Sequence, residues 1–212
     1  GASHGPMYSH GFATLFLGEA HGTIADRAMQ RRVRETLGRA VQVILASQNR
    51  EGGWRYQPVR ADADVSVTIC QIMALRSARN AGVEVPKSAA DDCIKYVKEC
   101  QTPDGGFRYF RNSGPAAFPR AAAGVAALYC AGLYDVVERG LRYLMQYRPT
   151  GRALSRREDV HFYYGHYYAA QAMWTAGGRY WREWFPAIRD ELVARSRLRA
   201  DGDWTDMMVG SD

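Results

Sequence analysis

Four side chains with ligand chemistry recur at one place in this sequence. His10, Cys70, Arg120 and His166 each stand twelve residues before a glycine (Gly22, Gly82, Gly132, Gly178) that closes an apolar run. If those runs are equivalent helices, equivalent positions face the same way and the four side chains share one level. Two imidazoles, a thiol and a guanidinium among apolar helices fit an anion-binding floor, with Arg120 and the histidines as donors. A His–Cys–His metal site would need ligands to converge near an axis, because packed helices lie ~10 Å apart; no metal is expected. The plain alternative is that each side chain hydrogen-bonds a neighbouring helix. Two residues earlier come Tyr8, Thr68, Phe118 and Tyr164, and Tyr163, Tyr164, Tyr167 and Tyr168 surround the start of the last run. Aromatic walls of this kind suit isoprenoid or cationic groups.

A second set of chemical residues lies in "ADADVSVT", where Asp62 and Asp64 precede the apolar run that opens at Val65. A carboxylate in that position is an N-cap by type and place. Other signatures are missing: the sequence contains no Gly-rich phosphate loop, no HExxH and no GxSxG. Glycoside hydrolysis needs two carboxylates flanking one site, and Glu19 stands alone in its run. The four cysteines form no CxxC pair, and Cys93 and Cys100 share a helix face ~10 Å apart, too far for a disulfide. They read as reduced thiols, and no cofactor is implied.

These residues are positioned by a repeat. "QNREGGW" (48–54) returns as "QTPDGGF" (101–107) and, in weaker form, as "LRADGDW" (198–204), a period of roughly fifty residues. Between the turns the spacing is helical, and each unit pairs a small, apolar helix with an amphipathic one. The pairs fall at about 7–50, 64–102, 116–148 and 161–197, with Ser88 as the expected N-cap of the second amphipathic helix. No segment reads as a strand. A helix apolar nearly all round is buried and its amphipathic partner covers it, so the apolar helices form an inner layer and the charged ones an outer layer. Paired glycines allow the backbone angles of the turn, Trp54 and Phe107 return to pack between hairpins, and the Gln reaches the adjacent helix end.

Bulk properties agree. At 212 residues and 47% hydrophobic, the chain can bury a substantial core. The net charge of +6 resides largely on helix-patterned runs with interspersed acids, which describes a solvated face better than a nucleic-acid footprint. No stretch approaches the ~20 apolar residues of a membrane span.

The Gln-turn-aromatic repeat after each outer helix resembles the squalene cyclase and protein prenyltransferase superfamily, whose members fold as α/α toroids. The resemblance implies an all-α, partial α/α toroid of about four hairpins over residues 1–212, an incomplete ring or an excerpt of one. Residues 62–65 fall where the cyclase branch carries its DxDD acid motif. The resemblance thus makes Asp64 the proton donor and Asp62 its neighbour, while Val65 replaces the third acid. The prenyltransferase branch binds zinc, but "DDC" places Asp91 and Cys93 on an outer helix, and Tyr164 stands where the ligand His is expected. The expected function is binding of an apolar, isoprenoid or lipid-like ligand in a central cavity by a terpene-cyclase-like domain. The ligand-binding set would be His10, Cys70, Phe118, Arg120, Tyr163, Tyr164, His166 and Tyr167. The alternative is a non-catalytic scaffold that binds protein, or a second copy, through its concave face or open edge.

Overall fold

The structure, a computed structural model, describes residues 5–149 and 161–197; the turn copy at 198–204 lies outside them. The described chain is all-α apart from one small sheet. In order come α1 (Pro6–His21), α2 (Arg27–Ser47), α3 (Val65–Asn80), α4 (Lys87–Cys100), β1 (Arg108–Phe110), β2 (Ser113–Ala116), α5 (Phe118–Cys130), α6 (Tyr134–Met145), α7 (Phe162–Ala176) and α8 (Gly178–Arg197). Contacts gather the chain into two compact units. The first holds residues up to Gln101 with Arg108–Gly114; the second holds Thr102–Phe107 and the chain from Pro115 onward. Each unit contains two helical hairpins.

In the first unit α1 lies directly on α3. The buried face of α1 is Met7, Gly11, Thr14 and Gly18, a helical stripe of mostly small residues. A Cβ added at Gly11 would stand 2.6 Å from Cys70 Sγ, and one at Gly18 would stand 2.2 Å from Ser77 Oγ, so the glycines set the interhelix distance. Every residue of α3 from Val65 to Leu75 is buried. Amphipathic helices cover it: α2 buries Leu37, Val41, Ile44 and Ser47, and α4 buries Ala89, Cys93, Tyr96, Val97 and Cys100. Each fully buried Leu, Ile or Val of these stripes is worth ~1.5–3 kcal/mol. The second unit repeats the scheme. Residues 121–128 of α5 are all buried, Gly124 admits the Phe107 ring, and Gly165 of α7 admits Phe118.

The two described turns share one geometry. Asn49 N–H donates to Gly53 O (3.0 Å) and Gly52 N–H to Asn49 O (3.1 Å); Thr102 and Gly105 donate to Gly106 O and Thr102 O at 2.9 Å each. Gly52 and Gly105 have φ of 91° and 97°, where a side chain is strained. A Cβ there would also collide with a backbone carbonyl of the following amphipathic helix, Asp92 O of α4 at 2.3 Å or Arg139 O of α6 at 2.2 Å. Gln48 Nε2 donates to Gly52 O and to Ala89 O in α4, and Trp54 Nε1 donates to Ile44 O (2.7 Å). Trp54 and Phe107 are both buried.

Three local details differ from the sequence reading. The α4 helix begins at Lys87 behind Pro86, with no side-chain cap, so Ser88 lies inside its first turn; the fixed φ of proline starts the helix instead. The α7 helix closes on Gly177, while Gly178 opens α8. The β1–β2 pair is too short to leave a period-two pattern, which is why no strand was legible.

Candidate functional site

Asp64 is fixed by the first turn and by α3. Its N–H donates to Trp54 O (3.0 Å), which places its side chain over the first turn of the helix. There Oδ1 accepts from Val67 N–H at 2.9 Å, and Oδ2 accepts from Tyr109 O–H at 3.2 Å. Tyr109 in turn shares a short hydrogen bond with Tyr56. The residue is wholly buried. Burial pushes its carboxyl up from the ordinary range, opposed by the bonds from Val67, Tyr109 and Ser66 and by Arg55. Burial, together with the Asp64 charge, also raises the phenols of Tyr8 and Tyr109. Asp62 is exposed and ion-paired with Arg55, so the two aspartates face different partners. At the same point of α1, α5 and α7 stand Gly5, Ala117 and His161, none with a capping side chain.

The four residues aligned from the sequence are held locally. In the first unit, His10 Nε2 is 2.9 Å from Ala40 O of α2, and Cys70 Sγ donates to Tyr8 O of α1 at 3.7 Å, with its thiol pushed up to about 12 by burial. In the second unit, Arg120 donates to Pro115 O (2.9 Å) and His166 packs among aromatic rings. Among the described residues, no group of three His, Cys, Asp or Glu could hold a metal ion. Asp91 pairs with Lys87, and Cys93 Sγ donates to Ala90 O.

The second unit contains an open groove of about 730 Å³ between α7 and α8. Tyr163, His166, Tyr167 and Trp174 form its α7 wall; Trp181 and Phe185 lead the α8 wall, continued by Ile188 and Leu192. Its lining is almost wholly apolar. Three of the expected ligand-binding residues therefore meet here. Phe118 lies beneath them, buried and 4.8 Å from His166 between ring centres, and Tyr164 packs on Tyr168 (4.9 Å). Trp174, Trp181 and Phe185 were not singled out from sequence. Their signal was present: 181, 185, 188 and 192 keep helical spacing, a stripe ordinarily read as core.

When α1 and α7 are aligned on their first residues, Pro6 and Phe162, the α1 stripe Met7, Gly11, Thr14, Gly18 falls on Tyr163, Tyr167, Ala170, Trp174. On α1 this stripe is the face covered by α3. On α7 the glycines have become Tyr167 and Trp174, which are 56% and 66% exposed, and the face is the groove wall. Two bulky rings stand where glycine allows the close α1–α3 contact.

No family model matches the chain, and no curated protein matches it. No helix among the described residues is long and apolar enough to cross a membrane. The geometry itself therefore carries the functional reading. His166 is only 7% exposed, with ring centres of Phe162 at 4.2 Å and Trp184 at 5.5 Å. Burial first, and the nearby Arg195 second, lower its pKa to about 3, so the imidazole is neutral. Arg195 stacks on Phe162 (3.7 Å) and pairs with buried Glu191 (2.8 Å). The buried atoms His166 Nδ1 and Trp184 Nε1 have no hydrogen-bond partner.

Proposed function

We propose that this chain is a terpene-cyclase- or prenyltransferase-like toroid domain whose role is to bind an apolar, isoprenoid or lipid-like molecule, and that the α7–α8 groove is where it binds. The observation that carries the reading is the groove: about 730 Å³, walled by Tyr163, Tyr167, Trp174, Trp181 and Phe185, with one neutral histidine. Its volume lies within the range of small-molecule sites, which are mainly apolar with a few polar groups. The groove replaces the central cavity as the proposed location. The packing of Asp64 favours a cap over a proton donor, since both carboxylate oxygens already accept hydrogen bonds within the fold. Binding is tested by tryptophan-fluorescence titration with a C15 prenyl alcohol. Saturable quenching that Trp174→Glu abolishes, with the circular dichroism unchanged, supports the groove; an unaltered titration in that variant sinks it.

One observation favours the scaffold reading for a different surface. Phe12 and Phe16 on α1 are 41% and 68% exposed, bare apolar rings of the kind that mark contact sites. Sedimentation velocity of the wild type against Phe16→Ser tests it: a self-associating wild type and a monomeric variant support an edge-to-partner role, and a concentration-independent monomer counts against self-association.

A further inference from the structure

The helix repeat leaves two apolar flanks uncovered, and they match. With α1, α3 and α7 aligned on their first residues, Phe12 and Phe16 of α1 correspond to Gln71 and Leu75 of α3 and to Tyr168 and Ala172 of α7. Those equivalents are buried, whereas Phe12 and Phe16 are exposed. A preceding helix lies against this flank of α3 and of α7. Gln71 Nε2 donates to Met7 O of α1 (3.0 Å), and a Cβ at Gly165, one turn from Tyr168, would stand 2.6 Å from the Phe118 ring of α5. On α7 the other flank is bare. Tyr167 and Trp174 occupy the positions by which α1 meets α3, and both are exposed. The chain thus offers one flank that elsewhere receives a preceding helix and one that elsewhere seats a following helix. A repeat face left to water is normally polar, and these two carry aromatic rings.

Charge points to the same pairing. The α1 sequence contains one acid, Glu19, and no Lys or Arg. Glu19 is exposed and lies one turn beyond Phe16. The groove lining contains Arg189 and no acid. Arg189 pairs with its neighbour Asp190, whereas Arg182, two turns earlier on α8, is exposed and pairs with no acid among the described residues. Helices α1 and α3 pack in register, with Gly11 against Cys70 and Gly18 against Ser77. The same register on α7 sets Phe12 and Phe16 level with Tyr168 and Ala172, between Tyr167 and Trp174, and Glu19 level with Thr175. At that level Trp174 meets Trp181 (5.1 Å between ring centres), the neighbour of Arg182 in α8.

We propose that a second copy of the chain occupies the α7–α8 groove through the Phe12–Phe16 flank of its α1, with Glu19 facing Arg182 across the contact. The proposal rests on the scaffold reading of α1 above and names the surface that α1 meets. The contact joins unlike surfaces, so it adds copies head to tail rather than closing a symmetric dimer. A small apolar molecule and the second copy would compete for the one groove.

Sedimentation velocity of the full chain from about 1 to 100 μM tests the pairing. The wild type should grow in mass with concentration, and Phe16→Ser and Trp174→Glu should each be monomeric. An equimolar mixture of the two variants should form a dimer of one of each and nothing larger, because one intact α1 flank then meets one intact groove. Glu19→Arg should weaken association about 2- to 5-fold, the worth of an exposed ion pair, and Arg182→Glu in the same chain should restore it. Circular dichroism checks each fold, and Tyr167→Glu replaces Trp174→Glu if that variant unfolds. A monomeric wild type, a mixture that stays monomeric, or a charge swap that restores nothing overturns the pairing. If Phe16→Ser is monomeric while Trp174→Glu still associates, the pairing is overturned and α1 remains a contact surface for some other seat. The prenyl-alcohol titration, run on Phe16→Ser with its groove open, tests small-molecule binding apart from the pairing.

Discussion

Replacing His166 by glutamine, which is similar in volume but does not titrate, should flatten the acid side of the stability profile. In the folded chain the imidazole titrates at about 3 instead of its ordinary 6.5. Between those values the unfolded chain binds a proton that the folded chain refuses, so stability is lost as pH falls through this window. At pH 4.5 the folded imidazole is almost wholly neutral and the unfolded one almost wholly charged. The wild type should therefore have lost roughly 2–3 kcal/mol that His166→Gln does not lose. Urea unfolding followed at 222 nm, at pH 7.5, 6.5, 5.5 and 4.5, measures it, because carboxylates common to both proteins cancel in the difference. A packing difference at pH 7.5 adds only a constant offset, so the change in the gap is the quantity read. A gap constant within about 0.5 kcal/mol from pH 7.5 to 4.5 would refute the claim that this histidine is buried and neutral.

Asp64→Asn should match or exceed the wild type at pH 8, because the amide still caps Val67 and meets Tyr109 without a buried charge. The raised carboxyl pKa means the wild type regains stability as pH falls through it, so the variant's margin should shrink in acid unfolding titrations. Asp64→Ala strands Val67 N–H and removes the carboxylate that Tyr109 O–H donates to, and urea midpoints should report a loss of ~1–3 kcal/mol at pH 7. Gly52→Ala and Gly105→Ala should each cost more than about 2 kcal/mol by chemical denaturation, from positive φ and the carbonyl contact together. Gly38→Ala, inside α2 with nothing within 4 Å of a new Cβ, should instead raise the melting temperature through a gain of ~1 kcal/mol.

The helical architecture was legible because its signals are local. Each turn announces itself by Gln, paired glycines and an aromatic ring, and each helix pair by a shift from small apolar residues to an amphipathic stripe. Residue types alone could not show where the aligned side chains point. His10 and Cys70 sit at equivalent positions on their helices, yet one bonds Ala40 O of α2 and the other Tyr8 O of α1. The Asp64–Tyr109–Tyr56 contacts were hidden for a related reason: Tyr109 reaches Asp64 from a short strand that leaves no pattern. The groove was half visible. Its tyrosines and His166 stood out as chemistry, whereas Trp181, Phe185, Ile188 and Leu192 carry the spacing of an ordinary core stripe. Only the register match of Gly11 with Tyr167 and Gly18 with Trp174 shows that a face built for close contact in one hairpin has become a wall in another.

The glycine of each turn has a consequence for how the chain is made. Gly52 rests against Asp92 O and Gln48 reaches Ala89 O; Gly105 rests against Arg139 O. Every one of these supports lies downstream. On a ribosome adding ~5–20 residues per second, the first turn leaves the peptidyl-transfer centre about 2–8 s before the residues that brace it. The hairpin behind it emerges before its latch exists, and synthesis of α4 fastens the hairpin that precedes it. Pauses in translation shortly after residue 52 would hold that latch open, whereas pauses after α4 has emerged would find it shut.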